Sequence, residues 1–302
     1  MKIAIYIVLG IVTLIFSAYW FAEARRHTRG PVTPTIADLL VGFVTIFLDT
    51  LGIGCFATIT FCYKLRNMVP DELIPGTLNI GVTLAAVAEA YIYLTVDVEP
   101  VTLGSLIAAA ALGSWLGAGV VAHWPRRKIQ IGMGAVLLAT AGFGLARQWG
   151  VLQGGGDLLG VSGIKLALGI AATFLLGALM TLGIGFFAPC MMIIFLLGMN
   201  LKTAFPIMMA STAFVGAVGS IQFIRKARYS LGPALGLMLG GIPGVLIAAY
   251  IVKEIPLDWL RWLVIFILAY TAIMMLRSAA RERAGIVRPS LPNALLPSKP
   301  PE

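Results

Sequence analysis

The chain has 302 residues, of which 59% are hydrophobic and 12% charged, and its mean hydropathy is +0.95. A soluble domain carries roughly a quarter charged residues, so this chain cannot coat a water-facing surface and reads as an all-α integral membrane protein. The net charge of +9 falls in short basic clusters between apolar stretches, the pattern of loops at a membrane face, so no nucleic-acid partner is expected.

Apolar segments run at about 3–22, 36–63, 77–95, 101–123, 129–146, 164–199, 203–224, 231–252 and 258–276. A helix needs about 20 residues to cross the hydrocarbon. The first segment is longer than a signal-peptide core and is preceded only by Lys2, so it is expected as a retained extra N-terminal helix. A basic loop with Arg25, Arg26 and Arg29 follows, closing an N-terminal unit at 1–35.

Segments 36–63 and 164–199 are too long for one crossing and too short for two. Each carries the same interruption. Thr50-Leu51-Gly52-Ile53-Gly54 recurs 131 residues later as Thr181-Leu182-Gly183-Ile184-Gly185. Glycine lets a backbone leave the helix. The sequence therefore predicts a first repeat at 36–146, a linker at 147–163, a second repeat at 164–276 and a tail at 277–302. Gly154, Gly155 and Gly156 make the linker flexible, and the proline-rich tail is expected to be disordered.

Basic residues choose the topology. If every segment crosses once, 13 of the 22 lysines and arginines reach the cytoplasm, and Arg126, Arg127 and Lys128 fall outside. If both long segments turn back as re-entrant hairpins, the cytoplasm receives 16 of 22, including that cluster. The second arrangement is preferred. It puts the N-terminus outside and the C-terminus in the cytoplasm. The two halves are then inverted repeats, each opening with a Gly-broken hairpin.

A helix broken within a membrane exposes N–H and C=O groups that need partners from protein or a watery cavity. The half-helix after each break starts with free N–H groups, which favour an anion. Gly52, Gly54 and Cys55 define one start, and Gly183, Gly185, Phe186 and Pro189 the other. The competing reading of the glycines is close helix packing. Thr58, Asn79, Ser211 and Thr212 are candidate neutral donors to an anion, or groups that hold helices together.

Asp49 lies roughly 20 Å along the helix from Ile36, near the midplane. An ionisable group at that depth is a functional candidate. It could couple protons, bind a cation or cap free N–H groups at the break. Its counterpart in the second half is Met180. Glu89 is the second candidate for proton coupling, with snorkelling or pairing to a nearby donor as the alternative. Cys55, Cys62 and Cys190 form no metal or disulfide pattern, and His27 and His123 are isolated. No P-loop is present, so no enzyme activity, cofactor or metal is expected.

The duplicated break resembles the sulfite exporter TauE/SafE family, also called the toluene sulfonate uptake permease family. The resemblance covers roughly 36–276. It rests on Asp49 to Ala57, Met180 to Cys190, Ala210-Ser211-Thr212, Gly113-Ser-Trp-Leu-Gly117 and Gly240-Gly-Ile-Pro-Gly244. The family's usual pattern has a further glycine where Cys55 and Phe186 stand here, so the chain resembles a divergent branch. The resemblance implies a secondary transporter of small anions, such as sulfur oxyanions, organosulfonates or carboxylates, in a bacterial cytoplasmic membrane. A small anionic substrate and membrane lipid are the expected partners. A cation-linked transporter of a neutral or cationic solute, and a non-transporting scaffold, are the alternatives. Substrate identity, direction, coupling ion and oligomeric state stay open.

Overall fold

The computed structural model describes residues 2–27, 33–52, 54–70, 73–117, 126–149, 156–180, 185–254 and 257–283. Among these, every extended element is helical; the sole bridge pairs Leu158 with Met199. Eleven α-helices are described: α1 Lys2–His27, α2 Ile36–Thr50, α3 Cys55–Leu65, α4 Ile74–Tyr93, α5 Pro100–Leu112, α6 Arg126–Gln148, α7 Gly163–Met180, α8 Phe187–Leu196, α9 Ala204–Arg225, α10 Leu231–Glu254 and α11 Leu257–Arg283. A π-helical turn, Gly113–Gly117, extends α5, and a 3₁₀ turn, Leu201–Thr203, leads into α9.

Four of the described helical stretches, Lys2–Arg25, Gly163–Met180, Leu201–Arg225 and Leu231–Ile251, are long and apolar enough to cross a membrane. The chain is a multi-pass membrane protein. The first long apolar segment divides into α2 and α3, and the second into α7 and α8. Neither α3 (11 residues) nor α8 (10 residues) is long enough to span. The break after α2 needs its glycines: Gly52 and Gly54 have φ of +97° and +85°, a region that side-chain-bearing residues avoid. Gly183 lies outside the described residues.

Element ends follow local chemistry. Thr35 starts α2 with a capping box: its hydroxyl accepts the Asp38 N–H, and Asp38 Oδ2 accepts the Thr35 N–H. Glu99 starts α5 by accepting the N–H groups of Thr102 and Val101. That arrangement holds the Glu99 carboxyl below the usual range, chiefly through the Thr102 bond. α11 runs on to Arg283 through Arg277-Ser-Ala-Ala-Arg-Glu-Arg283, a stretch rich in good helix formers, and the proline-rich part of the tail lies outside the described residues.

α4 and α9 are buried along nearly their whole length and form the centre. They run antiparallel: Tyr93 stacks on Phe205, ring centroids 5.3 Å apart, and Thr83 meets Gly216. α1 lies outside them, fixed by the Lys2–Asp97 ion pair at 2.9 Å and by Tyr6 stacked on Tyr91. Its Ile3, Ile7, Ile11, Leu14 and Ile15 stay exposed, as suits a lipid-facing helix.

The halves interlock. α2 packs chiefly on α10, α5 on α7, α4 on α9 and α6 on α11. Under the 131-residue shift each partnership maps onto another cross-half partnership or onto itself. Individual contacts follow the same rule. A Cβ on Gly113 would strike the Phe174 carbonyl, and one on Gly244 would strike the Phe43 carbonyl; a Cβ on Gly177 would strike Ala110, and one on Gly241 would strike Ile46. Residues 113 and 244, 43 and 174, 46 and 177, and 110 and 241 are each 131 apart. Close approach of backbones through small residues is how helices associate where the surrounding solvent is as apolar as they are.

Candidate functional site

The start of α3 and the start of α8 open on one cavity. Its walls are Asp49, Gly54, Cys55 and Phe56 from the first break, Met180, Gly185, Phe186 and Phe187 from the second, Val82 and Ala86 from α4, and Thr212 from α9. The cavity is about 20 Å³, room for one or two water centres.

The two helix starts differ. Asp49 Oδ1 accepts the Cys55 N–H at 2.7 Å, and the Asp49 carbonyl accepts the Gly52 N–H at 2.7 Å. The carboxyl thus serves the first break as a cap, the geometry expected of an aspartate at a helix start. It lines the cavity as well. At α8 the N-cap residue Phe186 makes no side-chain cap bond, and Pro189 in the first turn lacks an N–H. The N–H groups of Phe187 and Ala188 have no intrahelical acceptor, and no side-chain acceptor for them is found among the described residues; Phe187 lines the cavity.

Of the residues expected at a site, Asp49, Gly54, Cys55, Gly185, Phe186 and Thr212 are brought together on the cavity wall. Gly52 stands behind it, where a Cβ would come within 2.5 Å of Met191 Cε. Thr58 turns its hydroxyl to the Cys55 carbonyl at 2.8 Å, and Asn79 gives its amide to Pro75 at 2.9 Å. Pro189 is packed in the core. Ser211 is fully buried, with no partner for its hydroxyl among the described residues. Even Thr212, on the wall, donates to the Met209 carbonyl at 3.0 Å.

Glu89 is also fully buried and does not snorkel to a surface. It meets Thr50, the neighbour of Asp49, at 2.6 Å. Thr50, Val82 and Ala86 have no site role in the sequence analysis; Phe56 and Phe187 belong to the two half-helix starts it marks. A signal existed for part of this set: Asn79, Val82, Ala86, Glu89 and Tyr93 recur every three or four residues, one stripe of α4.

Two interrupted helices facing one buried cavity inside a helical bundle define a membrane transporter. The chain belongs to the sulfite exporter TauE/SafE family, whose profile matches residues 2–143 and 165–298 and whose members are membrane transporters. The match takes in α1 as well as both halves. No curated protein and no solved structure matches the chain.

Proposed function

We propose that this protein is a proton-coupled secondary transporter of small anions, of the class of sulfur oxyanions, organosulfonates or carboxylates. One observation carries the reading: the start of α8, without a side-chain cap among the described residues, and the carboxyl of Asp49 line the same small cavity. An anion is drawn to the free N–H groups of Phe187 and Ala188, with Thr212 beside them. The same anion is repelled by an ionised Asp49 across a low-dielectric gap. Anion and charged Asp49 exclude one another, so the anion enters together with a proton on Asp49. Cys55, Gly54, Gly185 and Phe186 shape the pocket. Gly52, Thr58, Asn79, Ser211 and Pro189 support it from behind, holding the first break and the helices around them.

Alternating access follows from the duplication. Contacts that exchange under the 131-residue shift are what two inverted repeats produce, and such repeats interconvert by swapping conformations. Re-entrant hairpins are supported by three contacts. Leu158 bridges Met199, Gly76 faces the Arg228 carbonyl, and Arg127 Nε donates to the Ala279 carbonyl at 3.2 Å. Single crossings would put the members of each pair on opposite faces. The membrane is then the bacterial cytoplasmic membrane, with the C-terminus inside.

Proteoliposomes loaded at one pH and diluted into another test the function. Labelled sulfite, a sulfonate or a carboxylate should accumulate with the proton gradient. Asp49→Asn should retain anion exchange and lose the response to pH. If none of these anions moves under a pH or a voltage gradient, the reading fails. The carboxyl in the cavity also favours a second reading, a cation site for a cation-linked transporter. Under it, Asp49→Asn abolishes dependence on the cation instead.

A further inference from the structure

Behind the cavity lies a second carboxyl. Glu89 has no solvent exposure, and its Oε2 has no hydrogen-bond partner among the described residues. Its Oε1 is 2.6 Å from the Thr50 hydroxyl. That hydroxyl is also 2.9 Å from the Ile46 carbonyl in the preceding turn of α2. A hydroxyl has one proton and cannot donate to both. The geometry defines two states. With Glu89 neutral, its O–H donates to Thr50 Oγ1, and Thr50 donates to Ile46. With Glu89 ionised, Thr50 turns its proton to Oε1, and the Ile46 carbonyl loses that bond.

The position gives these two states a consequence. Thr50 is the last residue of α2, adjoining Asp49 and two residues before the left-handed Gly52. Ala86, one turn before Glu89 on α4, lines the cavity, as does Asp49. A proton leaving Glu89 therefore rearranges the last turn of α2 at the point where the helix breaks and Asp49 caps α3.

The charged and titratable surroundings are few. Asp49 from α2, Cys55 from α3 and Tyr93 from α4 interact electrostatically with Glu89. Tyr93, one turn along α4, likewise leaves its hydroxyl without a described partner. α9 has Arg225 alone, at its end, and α10 has Tyr250, Lys253 and Glu254 near its end. From α1, Lys2 is paired with Asp97, and Tyr6 faces Tyr91. No described basic side chain offers Glu89 a counter-ion, so a proton is what neutralises it.

We propose that Glu89 is a second proton-carrying residue of the transport cycle, and that the Thr50 hydroxyl couples its protonation to the break between α2 and α3. This rests on the proton-coupled reading above and adds a second proton and a positioning residue to it.

The test compares wild type, Glu89→Gln, Thr50→Val and Thr50→Ser in proteoliposomes, reading protons and anions moved together. Glutamine preserves the shape and can still bond Thr50. The expected result is that Glu89→Gln moves one proton fewer per anion than wild type. Thr50→Val should shift the pH profile of transport, and Thr50→Ser should restore it. In pH-difference infrared spectra, Glu89→Gln should lose one of two carbonyl bands of protonated buried carboxyls and keep that of Asp49. A wild type that moves anions with protons, beside a Glu89→Gln protein with the same ratio and pH profile, overturns this proposal and leaves the first reading standing. A wild type that moves anions without protons overturns both. Should Glu89→Gln fail to fold, identical pH profiles for Thr50→Val and Thr50→Ser overturn it.

Discussion

At the residue scale, Gly185 separates folding from transport. No described atom lies within 4 Å of where its Cβ would stand, and its φ is outside the left-handed region. An alanine there meets no clash and no backbone strain, so stability should stay within about 0.5 kcal/mol of wild type. The added methyl projects into a cavity that holds only one or two waters. Transport by Gly185→Ala should fall about tenfold, the equivalent of ~1.4 kcal/mol. Gly52→Ala should do the reverse. Its positive φ and the Met191 methyl oppose a side chain, and thermal unfolding in detergent should show a loss of about 1–3 kcal/mol. Normal transport by Gly185→Ala would show that the cavity is not on the substrate's path. That Asp49 and Glu89 are deeply placed carboxyls was legible from their positions within apolar segments. Which hydroxyls face the cavity was not. α4 and α9 are buried on nearly every side, so polarity alone does not separate the hydroxyls that line the cavity from those that bond within a helix, as Thr58 and Asn79 do.

At the scale of elements, both interruptions were legible because two glycines at a fixed spacing occur twice in segments of unsuitable length. Helix ends were legible where a cap is local, as in Thr35-x-x-Asp38. They were not where distant chain closes them. Glu99 illustrates both cases. Its carboxyl caps α5 from within the element, while its own N–H donates to Leu159 at 2.8 Å, sixty residues away in sequence. Glu99→Ala should cost about 1 kcal/mol through the lost cap. The pH dependence has a definite sign. The folded-state carboxyl sits below its unfolded value, so the contribution is present above the unfolded value and is lost as pH falls through the folded one. Unfolding midpoints of wild type and Glu99→Ala should therefore differ at neutral pH and converge in acid. A constant gap across that range would show that the carboxylate's charge plays no part.

At the scale of the whole molecule, duplication and the excess of basic residues on one side were legible in sequence, whereas the partners across the halves were not. Nothing local to Gly113 points to Phe174; the pairing appears only when α5 and α7 are packed together. The contacts then sort the loops into two sets. Asp97, paired with Lys2, is joined through Glu99 to Leu159, and Leu158 to Met199 and Asn200. On the other side, Thr77 accepts the Ser230 N–H at 2.9 Å, and Arg127 meets Ala279. α9 runs from the first set to the second, from Ala204 beside Asn200 to Arg225 near Ser230. The second set carries Arg127, Arg225, Lys226, Arg228 and Arg277, which the positive-inside rule assigns to the cytoplasm. In a protein lacking Cys55, Cys62 and Cys190, single cysteines at 97, 158 and 202 should react with a membrane-impermeant thiol reagent added to intact cells. Cysteines at 127, 225 and 277 should react only after the cells are opened. The decisive position is 127. A topology of single crossings exposes it outside, because five crossings then separate it from the cytoplasmic tail, where turning segment 164–199 back leaves four. Labelling of position 127 in intact cells would overturn the proposed re-entrant hairpins, and with them the proposed inversion of the two halves.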